Sequence, residues 1–85
     1  MAEYDVVLRK SVLKDLAPIL KSDVKRIMSA IGALADNPRP PQAVKLTGQE
    51  RYRIRQGVYR IIYSIEEDRL IVCVVKIGHR RAVYE

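Results

Sequence analysis

Four arginines and one short basic stretch are the residues of this chain whose types and spacing could do chemistry. In "RYRIRQ", Arg51, Arg53 and Arg55 alternate with Tyr52 and Ile54, and Arg60 follows in "VYRIIYSI", just past Gly57. "GHRRAVY" then adds the one histidine, His79, together with Arg80, Arg81 and Tyr84, and no acidic residue stands between Lys76 and Tyr84. The guanidinium fork matches phosphate oxygens bidentately. Like charges on one small sheet face repel, so gathering them costs stability unless an anion or an acidic partner sits among them. Alternating arginines also serve as a plain solvated strand face that resists aggregation. The basic stretch, arriving on a strand that should pair with the one carrying Arg60, favours an anion site, and His79 is the side-chain type that exchanges a proton near neutral pH.

Other chemistries lack their residues. There is no His and carboxylate cluster for a metal, no glycine-rich phosphate loop, no Ser-His-Asp set and no carboxylate pair recognisable by spacing. The single cysteine, Cys73, excludes an internal disulfide, and in "LIVCVVKI" it reads as a small buried hydrophobe. No cofactor is expected. RNA offers a route that needs none, because its own 2′-hydroxyl can attack the adjacent phosphate once the chain is aligned and the extra charge stabilised.

The whole-chain balance agrees. A net charge of +6 and a pI near 9.8 call for a polyanionic partner. No apolar run approaches the roughly 20 residues of a membrane span, and "MAEYDVVLRK" lacks the layout of a signal peptide, so a cytoplasmic protein is expected. At 85 residues the chain reads as one domain, 1–85, with little apolar surface to spare.

These elements must position the cations. "EYDVVLRK" alternates Tyr4, Val6 and Leu8 against Asp5, Val7 and Arg9, as a strand does. Ser11 offers an N-cap to a short helix carrying Leu13, Leu16 and Leu20, which Pro18 should bend or end. Ser22 and Asp23 open a second helix with Val24, Ile27, Met28, Ile31, Leu34 and Ala35 on one stripe, and "DNPRPPQ" stops it. The period then changes to two. "RYRIRQ" and "VYRIIYSI" form a hairpin at Gly57, "EEDR" turns the chain again, and "LIVCVVKI" reads as a central strand ended by Gly78. The expected fold is α+β, with an N-terminal strand and two helices packed on one face of a small antiparallel-rich sheet.

Four segments in order, "SVLKDLAPIL", "NPRPPQAVKLTG", "YRIRQGVYRIIYSI" and "VVKIGHRRAVY", resemble the RelE/ParE superfamily of toxins from toxin-antitoxin pairs, and within it the RelE branch. The resemblance implies a RelE-like fold and metal-independent cleavage of messenger RNA on the ribosome, leaving a 2′,3′-cyclic phosphate and a 5′-hydroxyl. By motif it places the catalytic set on Arg53, Arg55, Arg60, Arg80 and Tyr84, with His79 or Arg53 handling the 2′-hydroxyl proton. Lys45, Arg51 and Arg81 would add contacts to RNA. The implied partners are an antitoxin with an acidic, amphipathic segment, forming a hetero-oligomer, and the ribosome with its mRNA. Two readings of other classes stand beside this one: a ParE-like poison of DNA gyrase, and a module that binds RNA or antitoxin without turnover.

Overall fold

The computed structural model describes residues 3–48 and 50–79. The chain runs β1 (Asp5–Leu8), α1 (Lys10–Leu16), α2 (Lys21–Ala33), β2 (Val44–Lys45), β3 (Arg51–Gln56), β4 (Tyr59–Glu66) and β5 (Ile71–His79). The five strands form one sheet in the order β1-β5-β4-β3-β2. β1 lies parallel to β5 and every other pairing is antiparallel. This is the expected α+β layer, with two differences: the two-residue edge strand β2 is additional, and the N-terminal strand joins the sheet in parallel.

Both helices cover one sheet face. Val12 of α1 and Ile27, Ile31 and Leu34 around α2 are buried against Ile54, Ile61, Tyr63, Val72, Val74 and Ile77 of the sheet. The alternation in β1 holds, with Val6 and Leu8 inward and Asp5 and Val7 outward. Both expected serine caps are displaced. α1 starts from Arg9, whose N–H is already bound to the Val74 carbonyl at 3.1 Å, so the pairing of β1 with β5 sets the helix entry and leaves Ser11 inside the helix. α2 starts from Leu20, and Ser22 likewise lies within it, while Asp23 occupies the first turn, where the helix dipole favours an acid. The shifted phase of α1 buries Val12 and turns Leu13 outward at 59% exposure, and Leu20, beyond the end of α1 and capping α2, is 72% exposed, against the expected stripe.

Gly57, at φ +61°, takes the first of two loop positions between β3 and β4, a conformation that costs glycine nothing. β5 does not end at Gly78 but continues through it to His79. It contains one irregularity: Ile62 pairs with Lys76 while Tyr63 pairs with Val74, so Val75 is an extra residue in the ladder. The bulge keeps Val74 and Ile77 both on the helix side and turns Lys76 to the other face.

At the end of the sheet away from Gly57, one polar chain ties four segments together. The Tyr4 hydroxyl donates to Glu67 at 2.8 Å, Glu67 pairs with Arg39, and Arg39 Nε donates to the Tyr52 hydroxyl at 3.2 Å. Tyr52 stacks on Tyr63 with 5.9 Å between ring centroids, and the Tyr63 hydroxyl donates to the Pro38 carbonyl at 2.7 Å. The prolines that stop α2 are thereby anchored to the core. Burial pushes the Tyr63 phenol up to about 12. The hydrogen bond from Tyr4, and then that from Arg39, hold the Glu67 carboxyl below its ordinary value.

Two expected outcomes follow from these bonds. Tyr63→Phe leaves the Pro38 carbonyl without its donor in a buried position and should lower unfolding stability in urea by about 1–3 kcal/mol. Glu67 has a depressed folded-state value, so its contribution is complete above the ordinary carboxylate range and is lost as pH falls through the folded value. Stability measured from about pH 6 to about pH 3 should therefore fall less steeply in Glu67→Gln than in the wild type, and equal slopes would rule this contribution out.

Candidate functional site

The β3–β4–β5 register fixes what the face opposite the helices carries. Arg55 stands opposite Arg60 and Arg60 opposite Gly78; Arg53 stands opposite Ile62 and Ile62 opposite Lys76; Arg51 stands opposite Ser64 and Ser64 opposite Cys73. Directly opposed residues share a face, so these three rows place Arg51, Arg53, Arg55, Arg60 and Lys76 on one surface. Arg53 and Arg60 are diagonal neighbours across the hairpin, within reach of one phosphate group.

The cations surround an apolar floor. Leu46, Ile62 and Val75 are buried on this side, with half-buried Cys73 packed against them. Arg51, Arg53 and Arg60 are half-buried and Arg55 is exposed. The Nε atoms of Arg53 and Arg60 are withdrawn from solvent, so their guanidinium groups lie close against the protein rather than extending into water. Gly78, beside Arg60, contributes no side chain to crowd the end of the patch.

No acidic residue falls within the three rows. Glu66 lies at the far end of β4 and pairs with Arg69 at 3.8 Å. Asp15 reaches Lys76 from α1 at 3.9 Å. Among the described residues, no group of three His, Cys, Asp or Glu side chains is placed to hold a metal ion.

Two residues expected with the arginines stand elsewhere. His79 pairs with Tyr59, a residue packed against the helix-side core, and the two rings meet edge to face with 6.2 Å between centroids. The imidazole thus stands on the helix side of the sheet, at the mouth of a cleft of about 450 Å³ that α1 forms with the ends of β4 and β5. Lys45 pairs with Tyr52, which also sets it on the helix side, and its amine lies 3.7 Å from Glu50. Arg80, Arg81 and Tyr84 lie outside the described residues. Sequence reasoning missed Lys76 as a member of the cationic face, because only the bulge at Val75 turns it there.

Comparison with known proteins agrees with this architecture. Residues 6–84 match the family model described as the ParE toxin of the type II toxin-antitoxin system parDE. A protein of Methanocaldococcus jannaschii designated toxin RelE1 is 32% identical, covering 98% of this chain and 97% of its own length. Among solved structures, the archaeal RelE-RelB complex from Pyrococcus horikoshii OT3 is similar at 29% identity and a TM-score of 0.84, covering 95% of this chain and 99% of that one. The RelB-RelE complex from Methanococcus jannaschii is similar at 26% identity and a TM-score of 0.74, covering 92% and 94%. With two helices on one face of a five-stranded mixed sheet, and with these matches over nearly its full length, the chain belongs to the ParE toxin family of type II toxin-antitoxin systems. Within that family it is a toxin of the RelE type.

The face bears a testable electrostatic cost. Arg55 and Arg60 are directly opposed like charges, a pairing that destabilises a sheet. Arg55→Glu should raise unfolding stability by about 0.2–1 kcal/mol at low ionic strength. The gain should shrink as salt is added. A loss of stability in Arg55→Glu would show that this pair carries no repulsion.

Proposed function

We propose that the chain is a single-domain cytoplasmic endoribonuclease that cuts messenger RNA on the ribosome without a metal ion, and is held inactive by an antitoxin. What carries the reading is the face on which half-buried Arg53 and Arg60 stand together, with Arg51 and Arg55 beside them, over an apolar floor. Such a face suits a dianionic phosphorane better than it suits neutral ligands, because donors held before the reaction begins cost no reorganisation when charge develops.

In this mechanism the RNA backbone lies across β3 and β4. Arg60, with Arg80 carried over from the family motif, binds the non-bridging oxygens of the scissile phosphate and stabilises the charge added by 2′-hydroxyl attack. Arg53, Arg55, Arg51 and Arg81 bind the flanking backbone, while the Lys76 amine is turned round the edge of β5 toward Asp15. Attack forms the bond from O2′ to phosphorus and breaks the bond from phosphorus to O5′, giving the cyclic phosphate and a 5′-hydroxyl. With His79 on the other side of the sheet, Arg53 is the described side chain nearest the role first shared with His79. Its fixed charge stabilises the developing 2′-oxyanion, whose proton passes to solvent water, and water returns a proton to O5′ as it leaves. Tyr84 would stack on or orient a nucleotide, and Lys45 would contact RNA only beyond the edge of the face.

The antitoxin reading draws on two relatives: the Pyrococcus horikoshii and Methanococcus jannaschii structures each contain a RelB partner. An acidic segment from such a partner would neutralise the arginine rows and offset their repulsion.

The test is cleavage of one defined messenger RNA, free and ribosome-bound, with cut sites and end groups mapped. Wild-type protein should cut in the decoding site and leave cyclic-phosphate ends. Arg60→Ala should lower the rate by about 10²–10³ while RNA binding weakens far less. His79→Ala should cost less than about tenfold. Growth arrest on expression without cuts in either RNA sample would instead favour gyrase poisoning or simple binding.

A further inference from the structure

Among the described residues, the end of β5 has no strand on its outer side. β1 pairs with β5 only as far as Val74, through Leu8, and then the chain turns away at Arg9 into α1. Beyond that point α1 takes the place of a strand. Asp15 Oδ2 accepts a hydrogen bond from the Ile77 N–H at 3.1 Å, and Asp15 Oδ1 lies 3.9 Å from Lys76 Nζ. The Asp15 side chain is only 20% exposed, so this carboxylate is held in place within the cleft between α1 and the sheet.

From this geometry we infer that Asp15 is a positioning residue: its carboxylate substitutes for the missing strand and fixes the end of β5 that sets Gly78 opposite Arg60. The inference rests, for its catalytic consequence, on the endoribonuclease reading. A backbone N–H bound to a charged acceptor is held more firmly than one bound to a neutral carbonyl. Ile77 lies two residues past the extra Val75, close to where the ladder is disrupted, so an added bond at its N–H helps to hold the register beyond the bulge. The sequence continues from this same strand into Arg80, Arg81 and Tyr84. A strand end that frays therefore disturbs the approach to Arg60 without removing any group that touches RNA.

The experiment has two arms on the full chain. In the first, amide hydrogen exchange is followed by NMR for wild type, Asp15→Ala and Asp15→Asn, the last retaining an oxygen acceptor. Asp15→Ala should speed exchange at Ile77 by about tenfold or more, beyond any change at Val72 and Val74, and Asp15→Asn should restore most of the protection. Unchanged exchange at Ile77, or equal acceleration throughout β5, would overturn the anchoring. In the second arm, the same proteins cleave ribosome-bound RNA: Asp15→Ala should lower kcat with little change in KM, and Asp15→Asn should recover it. A full kcat in Asp15→Ala despite lost Ile77 protection would overturn the positioning role. Should wild-type protein fail to cut any RNA, the endoribonuclease reading fails, and the exchange arm alone decides the anchoring of β5.

Discussion

The placement of Arg53, Arg55 and Arg60 follows from burying Ile54, Ile61 and Tyr63 beneath the helices. Side chains alternate along a strand, so once those residues face α1 and α2 their neighbours have no choice of side. Arg53 and Arg55 flank Ile54, and Arg60 precedes Ile61. A slip of one residue between β3 and β4 would push arginines into the core and expose isoleucines, which costs far more than the repulsion among arginines on the open face. Hydrophobic burial thus carries the fold, and the open face is free to hold a charge arrangement that is unfavourable by itself.

Simple alternation fails at one point, where the bulge at Val75 restores the pattern. Val72 and Val74 are inward, so unbroken alternation would send Lys76 into the core and Ile77 out beside Arg60. The extra residue resets the phase: Ile77 is buried, Lys76 joins the cations, and Gly78 takes the position opposite Arg60. The same reset carries His79 to the side of Tyr59. One inserted residue therefore improves the charged face and removes from it the one histidine of the chain.

This explains what the sequence discloses and what it conceals. In β3 and β4 the two faces differ sharply in polarity, so periodicity alone identifies the arginine side correctly. In β5, "IVCVVKI" is apolar on both sides, and nothing in its pattern marks which valine is the extra one. The position of His79 depended on that phase and could not be read. Helix phase was obscured for a related reason: Ser11 and Ser22 are plausible caps by type, but the hydrogen bond from Arg9 to the Val74 carbonyl fixes where α1 begins. A long-range contact outweighed a local preference. β2 was hidden because two residues carry no period.

The two ends of the sheet solve opposite electrostatic problems. At the end near Tyr4, cation and anion are matched: Arg39 has Glu67, and tyrosine hydroxyls complete the set, closing the proline loop and the β4–β5 turn onto the core. In the arginine rows no described acid stands directly opposite a cation: Glu66 lies at the far end of the face, paired to Arg69, and Asp15 holds Lys76 and the Ile77 amide from the flank. A chain selected only for stability would mix these charges across both regions, because an acid opposite Arg60 would remove the repulsion at no steric cost. Setting Arg55 directly opposite Arg60 makes sense where further negative charge is supplied from outside, by a nucleic-acid backbone or by an acidic segment that competes for the same face.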